Sequence, residues 1–312
     1  MPQFRYVVSN GEIEITGTKI KTGELIIPSK INELPVTSIG RRAFGGCRDL
    51  SSITIPEGVT NIGIRAFWEC HSLSSITIPE GVTSIGDEAF LDCCSLCSIT
   101  IPASVTNIGG GTFMFCNSLK EIFVSPQNKV YHHVQGVLFN ADGKVLIYYP
   151  AGKESSSYTI PASVTNIGEC AFFGCHHLSS ITIPESVTCI GPCAFDGCKS
   201  LNSITLPAGV TSIGEYAFTR CESLNSMTIP AGVRSIESGT FYYCISLSSI
   251  TIPESVTRIK LYAFEDCHSL CSITLPKRIK SIADGTFFDC HSLSSIALPA
   301  GVTSIGEFAF AG

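Results

Sequence analysis

The chain carries little charge and no long apolar run. Only 15% of its 312 residues are Asp, Glu, Lys or Arg, against roughly 25% in an average soluble domain. Yet 44% are hydrophobic, which excludes a disordered chain. Basic residues are the minority, 20 against 26 acids for a formal charge of −6. That excludes a polybasic nucleic-acid binder and any strong pull toward phosphates. No apolar stretch approaches the roughly 18–20 residues of a membrane span, so no membrane insertion is expected. The amino terminus, MPQFRYVVSNGEIEITG, lacks the basic-then-apolar profile of a secretory signal.

Catalytic and metal motifs are missing as well. There is no G-x-S-x-G elbow and no phosphate loop, since Gly109-Gly110-Gly111 runs into Thr112 without the lysine that such a loop needs. Cys94-x-x-Cys97 is a lone pair, not zinc-finger spacing. His176-His177 and His132-His133 are adjacent residues whose side chains tend to point apart. No enzyme, no metal site and no cofactor is therefore expected.

What the sequence does have is a period. Pro56, Pro79 and Pro102 are 23 residues apart, and so are Pro161, Pro184, Pro207, Pro230, Pro253, Pro276 and Pro299. The unit reads L-S-S-I-T-I-P-E-G-V-T-S-I-G-x-x-A-F-x-x-C-x-S. In L-x-x-I-x-I the apolar residues alternate inward along a short strand, with Ser and Thr outward. The proline ends that strand because it has no N–H for a ladder. V-T-x-I is a second short strand, and the glycine after it (Gly40, Gly63, Gly86 and onward) suits a tight turn. Glu237, Lys260 and Ala283 replace it in three repeats, so a positive φ is not obligatory there. A-F-x-x-C places a small residue, a ring and a thiol inward. A unit this short cannot close its own apolar face, so neighbours must stack. The expectation is a β-rich solenoid of about twelve rungs.

The motif I-P-x-x-V-T-x-I-G-x-x-A-F-x-x-C, on an L-x-x-I-x-I core, resembles the BspA-like (Treponema-type) leucine-rich repeats. The likeness runs almost continuously over residues 25–312. It implies a right-handed leucine-rich-repeat superhelix and a cell-surface or secreted protein of the adhesin type, binding a protein or glycan of a host or matrix. A cytoplasmic location stays open, because the amino terminus shows no secretory signal.

Two segments interrupt the period. Residues 1–24 alternate around Ser9-Asn10-Gly11, a hairpin signal, and are expected to cap the first rung. Residues 125–157 stand in place of one rung and contain a second hairpin around Ala141-Asp142-Gly143. That element is expected to be a lateral brace, the competing reading being a binding lobe built on Tyr131, His132, His133, Tyr148 and Tyr149. Repeats fill residues 25–124 and 158–312. The last one stops at Phe310-Ala311-Gly312 with no cap of its own, so either the natural chain continues or copies associate end to end.

Comparing rungs separates fixed columns from variable ones. The outward strand Ser and Thr hardly change. Variation gathers beside the inward Phe and Cys: Trp68, Leu91, Met114, Phe173, Tyr242 and Phe288 directly follow the Phe, and Tyr216 and Tyr262 precede A-F. Drift at turn positions explains such variation, but large apolar side chains in turns favour a ligand-reading edge. A basic strip, Arg234, Arg258, Lys260, Lys277, Arg278 and Lys280, is either ordinary solubilising surface or a dock for acidic glycans or acidic protein. Ten of the 16 cysteines fall in one column and are expected to behave as small buried hydrophobes. Among the rest, Cys170 and Cys193 share a column one rung apart and are the candidate disulfide. The expected function is a non-enzymatic binding module; the competing one is a spacer or self-associating scaffold.

Overall fold

The computed structural model describes residues 3–312, so Met1 and Pro2 of the expected cap lie outside it. Among the described residues there is no helix, and strands alternate with turns throughout. The protein is a β-solenoid of about 13 turns of about 23 residues. It divides into two compact units, one running to Asp142 and including Tyr149–Lys153, the other comprising Gly143–Tyr148 and Glu154–Gly312.

Within each unit, a rung contributes to three parallel ladders. The first strand, S-I-T, pairs in register with its equivalent, as Ser52–Thr54 does with Ser75–Thr77. The second, x-I, does the same, as Asn61–Ile62 does with Ser84–Ile85. Thr83 reinforces this step twice, its N–H and its hydroxyl both donating to Thr60 O at 2.8 and 3.1 Å. The third ladder lies in the turn around A-F. Arg65 N donates to Asp87 O, Phe67 N to Ala89 O and Glu69 N to Leu91 O, at 2.8–3.0 Å. Alternate N–H groups therefore point at the next rung, and a turn behaves as a strand edge.

That geometry has a cost in backbone conformation. The residue before A-F and the second residue after the Phe take left-handed φ in rung after rung: Arg65 and Glu69 at 56° and 54°, Tyr216 and Arg220 at 57° and 53°, Tyr262 and Asp266 at 57° and 59°. Glycine fills these positions only in places, as Gly46 and Gly239 show. The glycine after V-T-x-I answers to a different constraint. Its φ is not positive, but a Cβ on Gly86 would lie 2.6 Å from Ile64 N, and one on Gly191 2.7 Å from Glu169 N. Close approach of the preceding rung leaves no room for a side chain at these two positions. The second-strand ladder of the second unit breaks after Ser212–Ile213 and after Arg258–Ile259, and the next rungs carry Glu237 and Ala283 in that glycine column. Lys260 keeps the ladder bond, to Ile236 O at 3.0 Å. Gly86→Val is expected to cost about 1–3 kcal/mol in urea unfolding through overpacking. Gly46→Asp should cost less, because nothing lies within 4 Å of its Cβ position.

Leu, Ile, Val, Ala, Phe and Cys of the repeats form the core, except in the last one, where Ile305 and Phe310 are exposed. The phenylalanines stack ring on ring: Phe44, Phe67, Phe90 and Phe113 in the first unit, at 5.2–5.9 Å. In the second unit Phe172, Phe195, Phe218 and Phe241 do the same at 5.2–5.7 Å. The cysteines are more than small hydrophobes. Cys70 Sγ donates to Phe44 O, Cys93 to Phe67 O, Cys221 to Phe195 O and Cys244 to Phe218 O, at 3.1–3.3 Å. A thiol is small enough for the column and still satisfies a carbonyl of the rung before it. All ten in-register cysteines are buried.

The two irregular segments serve the ladders. Phe4–Ser9 and Glu12–Thr18 form an antiparallel hairpin, and Glu12–Thr18 then pairs parallel with Leu34–Ile39 of the first rung. In the insertion, Tyr131–Val134 pairs antiparallel with Val137–Asn140 across Gln135 and Gly136, both at positive φ. Tyr131 Oη accepts from Ile108 N at 3.0 Å, His133 Nδ1 accepts from Val124 N at 3.0 Å, and Asn128 Nδ2 donates to Pro102 O and Val105 O at 2.8 and 2.9 Å. These side chains take up backbone groups of the first unit, and Tyr148 and Tyr149 are buried. The bracing role is the one this geometry supports. In the second unit, Val145–Tyr148 pairs parallel with Asn166–Ile167 and so acts as a rung's second strand.

Candidate functional site

The expected ligand-reading columns lie on the third ladder, where the left-handed turns set the direction of each side chain. They do not share one environment. Phe173 is only 4% exposed and belongs to the core, which removes it from any surface stripe. Trp68, Leu91, Met114, Tyr242 and Phe288 are half-buried. The Arg42 guanidinium sits over the Trp68 ring, 5.3 Å from its centroid. Met114 lies against the bare face of Gly111, its Sδ 2.8 Å from where a Cβ would be.

Tyr216 and Tyr262 are the exposed members, at 39% and 43%. Each ring lies over a glycine in the same column of the next rung. The Tyr216 ring comes within 2.2 Å of the Cβ position of Gly239, and the Tyr262 ring within 2.4 Å of that of Gly285. The column therefore alternates ring, glycine, ring, glycine, and closes on Phe308. Tyr243, in the other left-handed column, adds an exposed ring 6.2 Å from Tyr242 and 6.2 Å from the His268 imidazole. Burial, then the charges of Asp266 and Glu265, push the Tyr242 phenol above its ordinary pKa. Burial, then the Asp266 and Asp289 charges, raise the Glu265 carboxyl. The patch thus combines tyrosine rings with carboxylates. Tyr243 and Phe115, both exposed, were missed because they stand two residues after the Phe, outside the columns that single out Trp68 and Tyr216. The signal was available in the column one residue later.

In the basic strip, Arg234, Arg258, Lys277, Arg278 and Lys280 are exposed. Lys260 is committed elsewhere, paired with Glu237 and lying 3.7 Å from Glu215. Cys170 and Cys193 are joined by a side-chain hydrogen bond, which together with burial raises the Cys170 pKa. Burial pushes the thiols of Cys93, Cys221 and Cys267 well up, and those of Cys70 and Cys290 to about 12, so none of these five is a ready nucleophile.

Comparison with known proteins agrees with this architecture. The sequence model of the BspA type leucine-rich repeat region, in six copies, matches residues 23–137, 148–271 and 234–312. The chain belongs to the BspA-type leucine-rich-repeat family. No curated protein matches it. Among solved structures, a leucine-rich repeat protein from Eubacterium ventriosum is 28% identical, with a TM-score of 0.78 over 100% of this chain and 93% of that one. A leucine rich cell surface protein from Faecalibacterium prausnitzii is 24% identical with a TM-score of 0.57, over 98% of this chain and 93% of that one. The pneumococcal vaccine antigen PcpA is 20% identical with a TM-score of 0.58, over 98% of each. These last two likenesses show the fold alone. The BspA-type repeat is generally a non-enzymatic scaffold, and this chain shares its fold.

Proposed function

We propose that this BspA-type solenoid is a non-enzymatic recognition module that binds a protein or glycan along the tyrosine-rich edge of its second unit. The observation that carries the reading is the alternation of exposed rings with glycines at Tyr216, Gly239, Tyr262 and Gly285. A left-handed position favours glycine or asparagine, and a solvated one favours polar residues. Rings that violate both preferences, with bare backbone between them, make a grooved aromatic surface. Tyrosines supply contact area at low entropic cost, and the flanking Glu265 and Asp266 supply acceptors for hydroxyl or cationic groups. The surface or secreted location that the family resemblance implies accords with such a role.

The test is a double variant. Tyr216→Ala with Tyr262→Ala should leave unfolding within about 0.5 kcal/mol of the parent, as exposed positions do. It should weaken capture on a glycan array or on immobilised matrix proteins by at least about tenfold, the scale of an interface hot spot. Retained capture would rule this edge out. Capture abolished by salt alone would instead point to Arg234, Arg258, Lys277, Arg278 and Lys280, since such contacts are screened.

A further inference from the structure

We propose that His71, Asp92 and Cys94 form a binding site for one zinc-class divalent cation that ties two consecutive rungs together. His71 Nε2 lies 3.0 Å from Asp92 Oδ2, and Cys94 Sγ lies 2.9 Å from Asp92 Oδ1. One donor atom from each of the three residues lies within 4.8 Å of the other two. All three residues are half-buried, open enough for an ion to enter and sheltered enough to hold it. A tetrahedral zinc with bonds of about 2.0–2.3 Å spaces its ligands roughly 3.3–3.7 Å apart, so small side-chain rotations would seat it.

The donor set selects the class of ion. Imidazole nitrogen, thiolate sulfur and one carboxylate suit zinc, whereas magnesium and calcium demand oxygen. One carboxylate and one thiolate balance a double positive charge, with the imidazole neutral. The cation takes the place of the thiol proton that now bonds Asp92, and that proton leaves to solvent. With three protein donors, a water would complete the tetrahedron.

The repeat shows why the site stands at this step. The column of His71 and Cys94 holds Arg48 one rung earlier, and its guanidinium pairs with Glu69. In the second unit, His268 lies 3.4 Å from Asp266, but His291 stacks on the His268 ring at 5.0 Å. Among the described residues no third donor closes on that pair. Only at Cys94 does this column carry a thiol. His71 comes from one rung, Asp92 and Cys94 from the next, so an ion held by all three joins the two rungs.

The experiment is a cobalt titration of the full chain carrying Cys97→Ser and Cys271→Ser, which removes the two exposed thiols. A thiolate-to-cobalt charge-transfer band saturating at one equivalent, and displaced by added zinc, is expected. The band should vanish in Cys94→Ser, and the cobalt affinity should fall at least tenfold in His71→Ala. Zinc should also raise the melting temperature of the parent but not of His71→Ala. Absence of the band, or an unchanged band in Cys94→Ser, overturns the site. Should Cys94→Ser fail to fold, His71→Ala decides alone: unchanged cobalt affinity there overturns it equally.

Discussion

Phe218→Ala is expected to destabilise the second unit by about 3–5 kcal/mol, the usual scale for deleting a fully buried ring. Phe218 has no solvent exposure and lies between Phe195 and Phe241, at 5.2 and 5.7 Å and nearly parallel to both. Truncation removes two stacking contacts at once, each worth about 0.5–1.5 kcal/mol beyond area burial. The cavity has little freedom to collapse, because its floor and ceiling are fixed by backbone bonds. Phe218 N donates to Thr240 O at 2.9 Å, and Phe218 O accepts from Cys244 Sγ at 3.1 Å. Urea unfolding followed by circular dichroism measures the loss. A change below about 1 kcal/mol would mean that the ring column is not what holds the rungs in contact.

Asp196 should make stability fall as pH rises, opposite to the usual behaviour of a carboxylate. It stands in the column that holds Phe173, Tyr242 and Phe288 in other rungs, is 9% exposed, and its Oδ1 has no hydrogen-bond partner. Burial raises its pKa from 3.8 to about 6, and the Arg220 charge offsets only part of that. Between those two values the folded chain binds more protons than the unfolded one. Stability is therefore lost as pH climbs through that window, by about 3 kcal/mol once the group is fully ionised. Asp196→Asn keeps the shape and removes the charge. It should flatten this part of the pH profile and be more stable than the parent at pH 8. Parallel profiles for the two proteins between pH 4 and 7 would sink the argument.

The fold was legible because it is written many times over. Inward Leu, Ile, Phe and Cys recur at fixed offsets, and a recurring column is hard to misread. The left-handed turns were not legible, since Arg65, Glu88 and Tyr216 hold positions where glycine is the ordinary marker. The hint was that the same columns become Gly111, Gly239 and Gly285 elsewhere. The site was readable only in part. Tyr216 and Tyr262 are exposed as expected, whereas Phe173, in a column shared with half-exposed Trp68, is buried. Column membership fixes direction; exposure depends on the size of the neighbours, which differs from rung to rung. The His71, Asp92 and Cys94 cluster carries no spacing motif, because stacking and not chain proximity brings it together.

The thiol-to-carbonyl bonds have a bearing on how such a chain can change length. Those that cross from rung to rung span a constant 26 residues, and each ring meets the ring one period away. Excising or duplicating one whole period leaves every donor facing an equivalent acceptor, so it costs one rung's worth of burial and nothing in register. Adding a single residue inside a rung shifts all three ladders together with the sulfur contact. The architecture therefore grows and shrinks in whole periods, and a lineage of such proteins would differ by counts of rungs more readily than by loops within them.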